Sequence, residues 1–176
     1  MKLYSEEYKE QLQKVHAKHE WGGGVESKVK WIIPNAKRWC DKRISTVLDY
    51  GCGAGHFKKT CNELFPEIEV SEYDPGVPGK DSMPERKDFV VCVDVLEHVE
   101  PDCLDGVLQH IRDLNTWGAI LHPCLAKAKT ILPNGSNAHL IVKPALWWLG
   151  EFEKYFQIQR IHYSSANHLG AFVVNK

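Results

Sequence analysis

No stretch of this 176-residue sequence approaches the roughly 20 consecutive apolar residues needed to cross a bilayer, so membrane insertion is not expected. The first residues, Met1-Lys2-Leu3-Tyr4-Ser5-Glu6-Glu7, lack the apolar core of a secretory signal. No CxxC pair occurs. The six cysteines fall singly at 40, 52, 61, 92, 103 and 124, several inside apolar runs, a pattern that suits reduced thiols and a cytoplasmic protein. There is no H-E-x-x-H, no EF-hand loop and no clustered Cys/His spacing, so no metal site is expected. Repeats and low-complexity segments are missing too, and neither sign of charge dominates, with 22 basic against 23 acidic side chains. A chain of this length buries about 70% of its unfolded surface and needs no staples. Residues 1–176 therefore read as one domain, with residues 1–43 as a helical N-terminal lid or cap.

The even total conceals blocks. Residues 1–43 carry ten Lys/Arg against six Asp/Glu, and residues 61–113 carry four against fourteen. From residue 114 onward the balance returns to six against two. Two positive chain ends thus flank an acidic middle, which fits either a partner-facing basic surface or ordinary solvated helix faces.

Residues 3–18 are rich in Glu, Lys and Gln, with Leu3, Tyr8, Leu12 and Val15 at helical spacing, so they predict an amphipathic helix. Gly22-Gly23-Gly24 ends it in a mobile or tightly bent connection. A second helix is expected over 26–42, interrupted at Pro34. Apolar runs at 44–49, 68–73, 89–94 and 119–124 read as buried parallel strands, with helices over 56–65, 102–114 and 144–154 between or after them. Residues 156–163 and 169–174 read as a terminal hairpin. The order is α/β, a Rossmann-like doubly wound sheet, mostly parallel with an antiparallel C-terminal hairpin.

The strongest motif is Val47-Leu48-Asp49-Tyr50-Gly51-Cys52-Gly53-Ala54-Gly55, a strand running into alternate glycines at the mouth of a helix. Glycine permits both the sharp turn and close approach of a ligand to the main chain. The dinucleotide fingerprint would require glycine at 56, which is His56. Asp49, two residues before Gly51, would repel a pyrophosphate and attract an ammonium group, which argues against NAD.

These residues, with Glu72-Tyr73-Asp74-Pro75 and Asp94-Val95-Leu96-Glu97-His98-Val99, resemble the class I S-adenosylmethionine-dependent methyltransferases over about residues 44–174. The D-x-x-E-H segment is similar to that of the small-molecule, type 11/12-like group. The resemblance implies cofactor contacts from Asp49, Gly51, Cys52, Gly53, Gly55, Asp74, Pro75, Asp94 and Val95, with Asp74 accepting both ribose hydroxyls. Only fourteen residues separate Asp74 from Phe89, too few for the helix and strand that the family pattern places there. The third βα unit is therefore expected to be missing, leaving Asp81 or Ser82 to meet the adenine from a loop.

Methyl transfer from an activated sulfonium demands positioning above all. An acceptor with a proton to lose gains from a base, and five histidines are candidates: His16, His19, His98, His122 and His139, with His139 favoured and His98 next. Trp21, Trp147 and Trp148 are the candidate aromatic walls, Trp21 beside the cofactor. A small-molecule acceptor is preferred. A nucleic-acid methyltransferase is the alternative, favoured by the positive chain ends but lacking N-P-P-Y or D-P-P-Y at Asp94-Val95-Leu96-Glu97. A noncatalytic S-adenosylmethionine-binding protein is the third reading. S-adenosylhomocysteine would be the product of the first two.

Overall fold

The computed structural model describes residues 1–17, 25–40 and 44–176, apart from the Ser164 side chain. Its strands are β1 (Thr46–Tyr50), β2 (Glu69–Tyr73), β3 (Lys87–Val93), β4 (Asn115–His122), β5 (Phe156–Ser165) and β6 (His168–Asn175). They form one sheet in the order β2-β1-β3-β4-β6-β5, parallel through β4 and antiparallel at β6 and β5. The expected Rossmann-like sheet and terminal hairpin are both present.

Alternation along the strands sorts the core into two faces. Val47, Phe89, Val91, Ile120 and Phe172 point to α2 (Glu26–Cys40) and α3 (His56–Leu64). Leu48, Val90, Cys92, Leu121 and Val173 point to α4 (Leu104–Leu114) and α5 (Ala145–Glu153). Side chains of successive strand residues take opposite faces, so each strand is buried twice and must be apolar nearly throughout. The six cysteines are free thiols.

Pro34 does not interrupt α2, contrary to the expectation from sequence. Its missing N–H and its ring cost the helix about 3 kcal/mol. Val29, Ile32 and Ile33, all essentially buried on one stripe, each return about 1.5–3 kcal/mol. Burial wins, and the helix continues.

Residues 74–86 contain neither helix nor strand, so the third βα unit is absent and β2 becomes the edge of the sheet. The sheet order reverses at β1, which has β2 on one side and β3 on the other. Such a switch point opens a crevice at the carboxyl ends of the strands. Over that crevice lies α1 (Glu6–His16), capped by Ser5, whose side chain accepts from the Tyr8 N–H. Tyr8, Leu12 and Val15 bury against Leu132 and Ala138.

Candidate functional site

A cavity of about 500 Å³ occupies the crevice at the ends of β1, β2 and β3. At one end are Asp49, Gly51, Cys52, Gly53, Asp74 and Pro75, and farther along come Asp94, Val95, His98 and His139. The structure therefore gathers most of the sequence-predicted residues around one space.

The glycine turn is set by main-chain bonds. The N–H groups of Gly51 and Cys52 both donate to the Tyr73 carbonyl, at 2.7 and 3.2 Å, tying the end of β1 to the end of β2. Gly51 has φ +80°, and a Cβ there would lie 2.3 Å from Val95 Cγ2. Only glycine satisfies both the backbone and the neighbour. Asp74 is buried and stabilises the turn from below, Oδ2 accepting from Gly53 N–H at 2.9 Å and Oδ1 from Gly76 N–H at 2.8 Å. Each carboxylate oxygen keeps a second lone pair for another donor. Gly55 caps α3 in the left-handed region but does not line the cavity.

Asp49 is buried, and its Oδ2 has no hydrogen-bond partner among the described residues. Burial, reinforced by the charges of Glu72 and Asp74, pushes its pKa up to about 8. Burying a carboxylate oxygen unmatched is costly, and a cation placed against it would offset that cost.

Asp94 adopts φ 56°, unusual for a residue with a side chain. It is held by an ion pair with Lys28 of α2, while His122 Nδ1 lies 3.4 Å from its Oδ1. Burial opposes its ionisation, but His122 and Lys28 outweigh burial and keep the carboxyl well below its ordinary range.

Glu97 and His98 follow in a short 3₁₀ turn, Leu96–His98. Glu97 is fully buried, and burial raises its pKa to about 8. Burial, aided by His139, lowers that of His98 to about 4. His98 and His139 meet edge to face, with ring centroids 4.7 Å apart. His16 also lines the cavity, its Nε2 3.9 Å from Asp74 Oδ1.

Several expectations are corrected. Asp81 and Ser82 do not line the cavity. The Asp74 N–H bonds the Lys80 carbonyl at 2.9 Å and turns the loop back, and Asp81 instead pairs with Lys9 at 3.0 Å. Trp148 is completely buried in the α4/α5 core and walls no cavity, while Trp147 lines a second depression that shares Lys127 and His139 with the first. Trp21, His19 and the three glycines at 22–24 lie outside the described residues.

Sequence reasoning missed Tyr4, Tyr8, Lys28, Lys127 and Lys129 as cavity-lining residues. Tyr8 donates its hydroxyl hydrogen to the His98 carbonyl, and Ser5 donates from both N and Oγ to Glu100 at 2.6 and 2.8 Å, so α1 is fastened beside the site. The only signal available was the basic excess of the two chain ends, from which all three lysines come.

The fold is Rossmann-like, with its crevice at the switch point of the sheet. The family model for the methyltransferase domain matches residues 8–170, and the chain belongs to that family, as a class I enzyme using S-adenosylmethionine. The fold is similar to that of the 1,6-didemethyltoxoflavin-N1-methyltransferase of Burkholderia thailandensis, solved with bound 1,6-didemethyltoxoflavin and S-adenosylhomocysteine. That match has a TM-score of 0.65 at 16% identity, covering 96% of this chain and 89% of that one. The N-methyltransferase NodS of Bradyrhizobium japonicum, solved with S-adenosylhomocysteine, matches at TM-score 0.61 and 12% identity, over 96% of this chain and 98% of its own. The PH0226 protein of Pyrococcus horikoshii matches at TM-score 0.60 and 14% identity, over 93% and 99%. A comparison with curated protein sequences found no match. Among the described residues no helix is long and apolar enough to cross a membrane.

Proposed function

We propose that this chain transfers a methyl group to a small molecule bound at the histidine end of the cavity, with the cofactor bound at the glycine end. The observation that carries the reading is the buried carboxylate of Asp49, its Oδ2 without a hydrogen-bond partner among the described residues, in the same cavity wall as the Asp74-braced glycine turn. Asp49 fits an ammonium group, and Asp74, with lone pairs to spare, fits a pair of ribose hydroxyls. The side-chain-free main chain at Gly51 and Gly53 leaves room between them, walled by Cys52, Pro75, Asp94 and Val95. S-adenosylmethionine supplies an activated sulfonium methyl that an acceptor takes by in-line displacement.

The chain's own task is to position the acceptor and handle its proton. His139 Nδ1 lies 2.5 Å from the Ala126 carbonyl. A carbonyl only accepts, so the ring proton sits on Nδ1 and Nε2 carries the basic lone pair. His98 has the same arrangement, with Nδ1 2.9 Å from the Ala138 carbonyl. His139 Nε2 and, second, His98 Nε2 are assigned to receive the acceptor's proton.

A compact cavity covered by α1 supports a small acceptor better than a polymer. Residues 1–176 act as one domain, with α1 as its cap. Lys28, Lys127 and Lys129 favour an acidic or phosphorylated acceptor, and they are also what a nucleic-acid acceptor would use. Calorimetric titration with S-adenosylhomocysteine, then an acceptor screen that detects its formation, tests the proposal. Tight binding without turnover across the screen would favour a noncatalytic binding protein. Turnover only on nucleic acid, falling steeply with salt, would replace the small-molecule reading. Deleting residues 1–20 with no change in affinity or turnover would remove the cap role.

A further inference from the structure

Glu97, His98 and His139 converge although their sequence spacing gives no metal signature. One ligand atom from each lies within 4.8 Å of the other two. Backbone carbonyls hold both imidazoles through Nδ1, which leaves the lone pair on Nε2; this is how ring orientation and tautomer are fixed in metal-binding histidines. The third group is a carboxylate with no solvent exposure. Its Oε1 accepts from the Cys124 N–H at 2.9 Å and lies 4.0 Å from His139 Nε2, while Oε2 has no hydrogen-bond partner among the described residues. Leaving such an oxygen unmatched is unfavourable, and a cation shared by the carboxylate relieves it.

The frame around the three is firm. The Ile141 N–H donates to the Glu97 carbonyl at 3.0 Å, and Tyr8 of α1 bonds the His98 carbonyl. These bonds join the segment after β3 to the segment bearing His139 and to the cap. Both histidines line the cavity, so a group held between them faces the acceptor.

We propose that Glu97, His98 and His139 bind one divalent transition-metal ion, with its remaining coordination position open to the cavity. Two imidazoles and one carboxylate are the donor set of three-ligand zinc sites and are shared by other first-row ions. Tetrahedral bonds of about 2.0–2.1 Å set ligand atoms roughly 3.4 Å apart, so the ion draws the widest pair together by at most about 1.4 Å. The inference rests on the reading that the acceptor occupies this end. An ion here lowers the proton affinity of an acceptor hydroxyl or amine, whose proton passes to water; the two Nε2 atoms are then ligands, and their role as proton acceptors belongs to the metal-free protein alone.

The test uses the full chain, stripped with chelator and titrated with Zn²⁺ by calorimetry and with Co²⁺ by visible absorption. One ion per chain is expected. His139→Ala, His98→Ala and Glu97→Gln should each weaken Zn²⁺ binding by at least the roughly 10–100-fold that loss of an outer-shell partner costs, and His162→Ala, altering a ring stacked on Trp31, should not. His139→Gln is measured alongside, in case the alanine variant fails a thermal-unfolding check. No stoichiometric uptake, or uptake equal in His139→Gln and the parent chain, overturns the proposal. S-adenosylhomocysteine titration of the same stripped protein separates the two readings. Cofactor binding without metal uptake removes only the ion, whereas loss of cofactor binding in the parent chain removes the proposed function.

Discussion

At the glycine end of the cavity the main chain does the positioning, whereas at the histidine end side chains from distant segments do it. The first end is local: Gly51, Cys52 and Gly53 are consecutive, and their N–H groups are taken up by Tyr73 and Asp74 directly across the β1–β2 pair. The second end draws Lys28 from α2, His98 from the segment after β3, and Lys127, Lys129 and His139 from beyond β4, beneath α1, which Ser5 and Tyr8 fasten in place. A main-chain site tolerates almost no substitution and serves an unchanging ligand. A side-chain site can be rebuilt one residue at a time, and under the proposed function that is where acceptor choice would reside.

The sharpest way to break this contrast is Gly51→Ala. The added methyl meets Val95 Cγ2 at 2.3 Å on a backbone with φ +80°, and S-adenosylhomocysteine affinity should fall more than about 100-fold by calorimetry. Shrinking Val95 to Ala in the same chain relieves the contact but not the backbone, so recovery should be partial. Full recovery would show that the side chain, not the main chain, sets the turn.

Asp74→Ala comes next. It removes the acceptor of two turn amides as well as the lone pairs offered to a ligand. Amide bonds to a charged group contribute about 1.5–3 kcal/mol each, so roughly a hundredfold weaker binding is expected. Undiminished binding would overturn the assignment of this end to the cofactor.

Asp49→Asn separates stability from binding. In the unfolded chain Asp49 ionises near its ordinary value, while the folded, ligand-free protein holds the proton until about pH 8. The folded state therefore binds the extra proton between those values, and stability falls as pH rises through that window. Asparagine does not titrate. Its melting temperature relative to the parent should rise from about pH 5 to about pH 8, by a few degrees for each kcal/mol, even as cofactor affinity drops. A constant difference across that range would mean that Asp49 is ionised throughout.

The smallest effect expected is at the other end. Tyr8→Phe deletes the hydroxyl bonded to the His98 carbonyl and should cost about 1–2 kcal/mol in denaturant unfolding, with cofactor affinity changed less than about twofold. A large loss of cofactor affinity would show that the two ends are mechanically one.

The same contrast explains what was legible from the residues alone. Strand runs such as Phe89 to Val93, the alternate glycines and the missing third βα unit are written in consecutive positions, and the structure has all of them. Helix boundaries moved by a few residues, and α2 ran through Pro34 because long-range burial outweighed a local breaker. Asp81 was a reasonable adenine contact until the Asp74–Lys80 bond turned its loop away. Tyr8 read only as the apolar stripe of a helix, and nothing nearby announces that its hydroxyl reaches His98, or that Lys28 pairs with Asp94. Such meetings depend on tertiary packing across long separations and leave no periodic trace.

Losing the third βα unit leaves β2 as an open rim of hydrogen-bonding groups, which another chain's strand could extend. The rim carries its own deterrent. Glu69 and Glu72 lie along it, tethered to Lys87 and Lys80, and the strand is only five residues long. A foreign strand docking there would have to strip these charges of water and of their partners, so the shortened domain can end its sheet without recruiting a neighbour.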